Sequence, residues 1–358
     1  RVAGLYVTGS SGSLSAVAGR NMTLTAAEVV NAGSGTTTLA AGNDLTLGTV
    51  TTRDVIDIGG TSRNHVQVNA SSEVGSRLRT QGDATLIAGN DLLGRAVDLE
   101  AQGNLALTAG NDVVLAAGRN EQTIDIASYA SGKSGGGLTK KTVTRSLEIQ
   151  AETSTAQTGS LAGKNISIQA GQDIALEGGR FTAQDTLALD AGRDLTVAAA
   201  ESSSTQNQRL MIAKKETLGF GQQSLKTTRD ETTVTPAITQ LSAKTISLQA
   251  GQDMTLVAPR IEADTLSGTA GGQLMVAAAT ASHELKETSE FKTNRFNFSE
   301  VTNPSVTGAR IKDKIKLTES GSERSAVVAE IDSQTITLQS GSDTTLVAPS
   351  IRTDSLSI

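Results

Sequence analysis

The chain has 358 residues but only 2% aromatics, with no Trp, two Tyr and five Phe, while Gly reaches 36. A wide globular core needs aromatic bulk to fill it, so this composition excludes large compact domains and points to a narrow interior of Ala, Leu, Ile and Val. A net charge of −6 lacks the basic excess of a nucleic-acid binder, and zero Cys excludes disulfides, thiolate metal sites and thiol catalysis.

A repeating unit begins almost at once. Ala18-Gly19-Arg20-Asn21-Met22-Thr23-Leu24 and Ala41-Gly42-Asn43-Asp44-Leu45-Thr46-Leu47 share the form Ala-Gly-x-(Asp/Asn)-apolar-x-apolar. Further copies start at Ala109, Ala170, Ala191 and Ala250, with degenerate ones at Ala88, Ala270 and Ser340. Neighbouring copies such as Gly89 and Gly110 lie roughly 21 residues apart, a period typical of solenoids. Glycine is expected to supply a positive-φ corner, and the Asp or Asn after it to bond its own backbone in an Asx turn. Leu45-Thr46-Leu47 then alternates inward, outward, inward. One coil cannot bury that inward face, but coils stacked about 4.8 Å apart pair strand on strand and form continuous aliphatic ladders. The expected fold is all-β: a right-handed parallel β-helix with coils of about 20–22 residues, forming one elongated segment over 1–358. The first and last residues both sit inside the pattern, so the chain is expected to be part of something longer. No stretch approaches the roughly 18 apolar residues of a membrane-spanning helix.

A larger cassette overlies the small unit. Leu161–Asp173 is repeated at Leu241–Asp253 and again at Ile331–Asp343. Between the coils lie segments of different character, 54–73, 120–160, 201–239 and 281–330, richer in Lys, Arg and Glu yet alternating in Thr, Val, Ile and Phe. These are expected to form β-hairpins projecting from the rod, with turns at Ser131–Gly137, Leu218–Gly221 and Thr302–Ser305.

The recurring Ala-Gly-Asn-Asp-Leu and Ala-Gly-Gln-Asp turns, with cassettes interrupted by Ser/Thr/Lys-rich insertions, resemble the haemagglutinin repeat region of filamentous-haemagglutinin-like exoproteins. Among these the chain is most similar to effectors of contact-dependent growth inhibition and related two-partner-secretion adhesins. The resemblance implies export through an outer-membrane secretion pore and folding outside a Gram-negative cell. It further implies service as a structural rod that displays distal adhesive or toxic domains. In toxin-delivering members it also implies a second role, a translocation module acting at the target-cell outer membrane through the hairpin insertions.

Catalytic chemistry finds little material. His65 and His283 are far apart and read as exposed surface residues, too few for a His-based triad or metal site. The repeated carboxylates of Asp44, Asp112, Asp173, Asp194 and Asp253 lack the Gly-Gly-x-Gly-x-Asp pattern of calcium-binding coils and read as turn caps. A polysaccharide-cleaving groove would carry aromatic sugar platforms, which are scarce here. No enzyme activity, cofactor or metal is expected.

Interaction chemistry concentrates in the last insertion. Period-two geometry places Arg310, Lys312, Lys314 and Lys316 on one face, opposite Ile311, Ile315 and Leu317, with Phe291, Phe296 and Phe298 on the presumed partner strand. The surface-contact candidates are Arg310, Lys312, Lys314, Lys316, Phe296 and Phe298, facing lipopolysaccharide, a membrane surface or a sister hairpin. The structural reading, favoured over contact, lays the apolar face on the rod, with Lys blunting an exposed edge.

Overall fold

The structure is a computed structural model that describes residues 4–137, 140–216, 221–296 and 310–358. One coil shows the building scheme. Leu92–Arg95 runs to a corner at Ala96, Asp98–Ala101 crosses the second face, Leu105–Ala109 crosses the third, and the glycine corner at Gly110 leads into Val113. The next coil stacks Val113–Ala116 on Leu92–Arg95, and after a lateral excursion Gly159–Ala170 stacks on its second and third faces. Among the described residues, ten strands stack along the face that contains Asp98–Ala101, giving ten rungs. At the interstrand spacing the shaft is about 45 Å long.

Parallel pairing in register turns the apolar pattern into ladders. Leu86, Leu107, Ile168, Leu189 and Leu248 face one another rung after rung on one wall. Leu45, Leu92, Val113, Ile174 and Leu195 do so on a second, and Leu78, Leu99, Leu161, Phe181 and Leu241 on the third. All of these are buried. Each such side chain withdrawn from water contributes roughly 1.5–3 kcal/mol, and period two ensures that its neighbours in sequence stay outside. The parallel β-helix is therefore the fold, with a thin aliphatic core.

The two corner types differ from the sequence expectation. Corner glycines from Gly42 through Gly341 are absent from the positive-φ residues. They are needed because each carbonyl oxygen of the preceding corner glycine sits where a Cβ would stand, as Gly110 O does at Gly171 and Gly171 O at Gly192. The demand is for close backbone approach, not for a left-handed dihedral. Positive φ occurs at the other corner, at Ala26, Ala96, Ala258 and Ala348 with φ of 44 to 51° and at Gly178 with 60°. An alanine held there costs about 1–2 kcal/mol, so stacking must enforce the turn.

The Asp after the glycine also works differently from an Asx turn. Asp112 Oδ1 accepts the backbone N–H of Asp173 at 3.0 Å, Asp173 Oδ1 that of Asp194 at 3.1 Å, and Asp194 Oδ1 that of Asp253 at 3.1 Å. The carboxylates join consecutive rungs instead of closing their own turns. They satisfy corner N–H groups that no strand ladder reaches.

At four rungs the chain leaves the shaft instead of turning the positive-φ corner. The departures follow Leu45–Gly48, Val113–Ala116, Leu195–Ala198 and Leu274–Ala277, alternating with rungs whose corner is Ala26, Ala96, Gly178, Ala258 or Ala348. Each departure yields two consecutive antiparallel strands: Val50–Thr61 with Asn64–Val74, Gly118–Ser134 with Lys141–Gln157, Ala200–Glu216 with Gly221–Ala237, and Ala279–Phe296 with Arg310–Val327. These are called the first to fourth pairs. A pair emerging every second rung is as wide as the two rungs it spans, because both are set by the same interstrand distance. Neighbouring pairs therefore meet edge to edge and hydrogen-bond, the first to the second, the second to the third and the third to the fourth. The product is one eight-stranded antiparallel sheet alongside the shaft. The turn anticipated at Thr302–Ser305 and most of that at Leu218–Gly221 lie outside the described residues.

Candidate functional site

The lateral sheet is the surface that the shaft does not already account for. It is stitched to the shaft at its base. Glu73 Oε2 accepts Arg95 Nε at 2.8 Å from a rung corner and the backbone N–H of Arg119 at 2.7 Å from the second pair. Where the first pair returns, Ser76 donates to Leu24 O at 2.9 Å; where the third returns, the buried Thr239 hydroxyl accepts the Gly178 N–H at 2.9 Å. Sequence reasoning missed these residues. Ser and Thr are abundant throughout the chain, and only the fold distinguishes the ones at the junctions.

Strand alternation gives the sheet two unlike faces. One is polar, carrying Thr144, Asn207, Ser224 and Lys292 among others. The opposite face carries an aliphatic stripe that crosses all eight strands. Ile58, Val66, Ile126 and Ile149 form one row; Leu147 and Leu210 continue it one step toward the strand tips; Ile212, Leu225, Phe291 and Ile315 complete it another step on. The stripe lies open at its ends, with Ile58 64%, Ile315 55% and Leu317 68% exposed. Among the described residues the lateral sheet makes its extensive contacts within itself. In the last insertion Ile315 and Leu317 stay exposed, so at these two residues the shaft does not cover the apolar face.

The sequence-selected residues fall at one end of this sheet. Lys312, Lys314 and Lys316 are exposed on the edge strand Arg310–Val327 and share the polar face. Lys314 Nζ lies 3.0 Å from Glu290 Oε2, and Lys292 also contacts Glu290. These two ammonium groups, Lys292 first, hold the Glu290 carboxyl down to about 2. Part of the lysine charge is thus spent across the strands. Arg310 pairs through its backbone with Phe296. Phe298 lies outside the described residues. Sister pairs do touch, but through backbone edges and not through this lysine face.

The histidines do not converge. His283 is half-buried, with Nδ1 3.0 Å from Thr233 Oγ1. His65 departs from expectation: its side chain is only 17% exposed, set between the Thr61 carbonyl at 3.3 Å and Asp125 at 3.5 Å. Packing of the first pair against the second covers it. Among the described residues no three His, Cys, Asp or Glu side chains gather into a metal site.

A solenoid of filled rungs with a sheet laid along it defines a class, the parallel β-helix built for length. The hemagglutinin repeat model matches residues 56–154 and 144–292, more than half of the chain, and the chain belongs to that family. The first match runs from the first pair into the second, and the other from the second into the fourth, so the lateral strands are part of the family's repeating unit. A similar curated protein is "Deoxyribonuclease CdiA" of Dickeya dadantii (strain 3937), 31% identical over 257 residues, which are 71% of this chain and 7% of that protein. The chain thus spans a small fraction of that relative's length. No solved structure matches.

Proposed function

We propose that this chain is a structural rod segment of a large secreted bacterial surface exoprotein, exported through a two-partner outer-membrane pore and holding distal domains away from a Gram-negative cell. It acts without catalysis, cofactor or nucleic acid. In this reading 54–73, 120–160, 201–239 and 281–330 are insertions in one continuous shaft over 1–358. The observation that carries it is the filled interior: Leu105, Leu107, Ile168, Ile174 and Leu195 are all 0% exposed, so side chains fill the axis at these rungs. Strand-on-strand pairing through every rung also makes the shaft stiff along its length. Function as a spacer needs no more chemistry than that.

The test is to remove the four strand pairs from the full-length exoprotein, replacing each by the tight corner used at Arg95-Ala96-Val97, and to measure surface exposure of the distal domain by antibody labelling. Display should persist. Loss of display with the rungs still folded by circular dichroism would overturn the spacer reading and favour an active role for the lateral sheet at a target outer membrane. Glycan release by the purified segment would overturn the non-enzymatic part.

A further inference from the structure

The aliphatic stripe is the largest feature that a solitary rod leaves unused. It is continuous over eight strands, aliphatic at its centre at Leu147 and Leu210, and open to solvent at Ile58, Phe291 and Ile315. Its borders differ in sign. Toward the strand tips lie Arg145, Lys214 and Arg295, and toward the base lie Glu231, Glu287 and Glu319. Arg229, also on the base side, is already held by Glu231 at 3.0 Å and Lys214 by Glu216 at 3.2 Å, so Glu216 and Asp313 are acidic exceptions at the tips and Arg145 and Arg295 carry the basic border.

We propose that this face is the docking surface for a second copy of the same chain, two rods lying side by side with their lateral sheets packed face to face. Three observations select that occupant. First, a two-fold axis running along the stripe lays it on its own image and brings the basic border of each copy over the acidic border of the other. On the strand Ala279–Phe296, for example, Arg295 and Glu287 lie equally far on either side of Phe291. Second, eight strands at about 4.8 Å and some eleven residues at about 3.4 Å give a footprint of roughly 1,300 Å² per partner, above the roughly 800 Å² of a standard stable interface. Third, the stripe is only two or three rows high, roughly 7–14 Å. That suits a facing sheet about 10 Å away and falls far short of a hydrocarbon core of about 30 Å. The inference goes beyond the spacer reading: an unpaired rod still spaces, and a paired one still displays.

The test uses the purified 358-residue chain in sedimentation equilibrium. A dimer is expected, with Leu147→Glu or Leu210→Glu raising its dissociation constant roughly thirtyfold or more while circular dichroism stays unchanged, and Thr144→Glu on the polar face leaving it unaltered. Because the chain has no Cys, a milder probe is available. Ser128→Cys lies in the Leu147 row of the stripe face and Ser146→Cys on the polar face. A short bis-maleimide should link two copies through Ser128→Cys and not through Ser146→Cys. A chain that stays monomeric at high micromolar concentration, links equally through both cysteines, or floats as a monomer with phospholipid vesicles would overturn the proposal.

Discussion

The shaft and the lateral sheet share the general strand spacing of about 4.8 Å, yet their stability has different origins. In the shaft the strands between the two end rungs are paired on both sides and their inward residues meet counterparts on the next rung, so Leu107 and Ile168 are 0% exposed. In the lateral sheet the strands are also paired, but among the described residues most of the apolar stripe is only partly covered, and Ile58 and Leu317 stay open. Backbone hydrogen bonding alone gives order; a closed interior gives order and tight tolerance to change. The comparison teaches that the sheet is held in place mainly by the two-rung spacing of its roots, and it predicts where substitutions will be felt.

The sharpest way to break the comparison is at glycine. Gly171→Val would force a side chain into the Gly110 carbonyl and should cost roughly 3 kcal/mol or more in urea unfolding, whereas Gly132→Val, with open space around it, should stay within about 0.5 kcal/mol. Next comes cavity formation: Leu107→Ala should lose about 2–5 kcal/mol, against about 1 kcal/mol for the half-covered Ile126→Ala in the lateral sheet.

A smaller effect tests the carboxylate ladder. Asp173 is held below the usual carboxylate range, first by its hydrogen bond with Arg193 and, more weakly, by the Asp194 N–H. Asp173→Ala should cost about 1 kcal/mol after allowing for solvent screening, and a double-mutant cycle with Arg193→Ala should recover part of that as coupling.

The smallest effect is one of pH. Glu290 has a folded value of about 2 against an ordinary 4.5, so its pairing with Lys292 and Lys314 stabilises the fourth pair fully above about 4.5. That contribution fades as pH falls and is lost through about 2. Amide exchange in Ala279–Phe296 should quicken over that window, and Glu290→Gln should remove the pH dependence.

Much of the shaft was legible in the residues because its signals are local. Leu45-Thr46-Leu47 alternates, Ala41-Gly42 marks a corner, and the unit recurs near a constant spacing. The role of each corner residue was not legible. Gly42 through Gly341 were read as dihedral specialists, and only the carbonyl stacked beneath each one reveals the need for a missing Cβ. The positive-φ alanines carry no signal at all, since Ala96 looks like any small residue. In the candidate site, the alternation of Arg310, Lys312, Lys314 and Lys316 could be seen, but the cross-strand contact of Lys314 with Glu290 could not, because register between strands joined by a long connection has no local mark.

The sequence by itself determined that strands would stack, which residues would point inward and where the coil would turn, because these follow from period two, glycine and the aliphatic composition. Tertiary structure alone decided that four separate strand pairs become one sheet with an apolar stripe. That depends on a pair being as wide as the two rungs that separate its root from the next, a coincidence of lengths expressed only once the rungs are stacked.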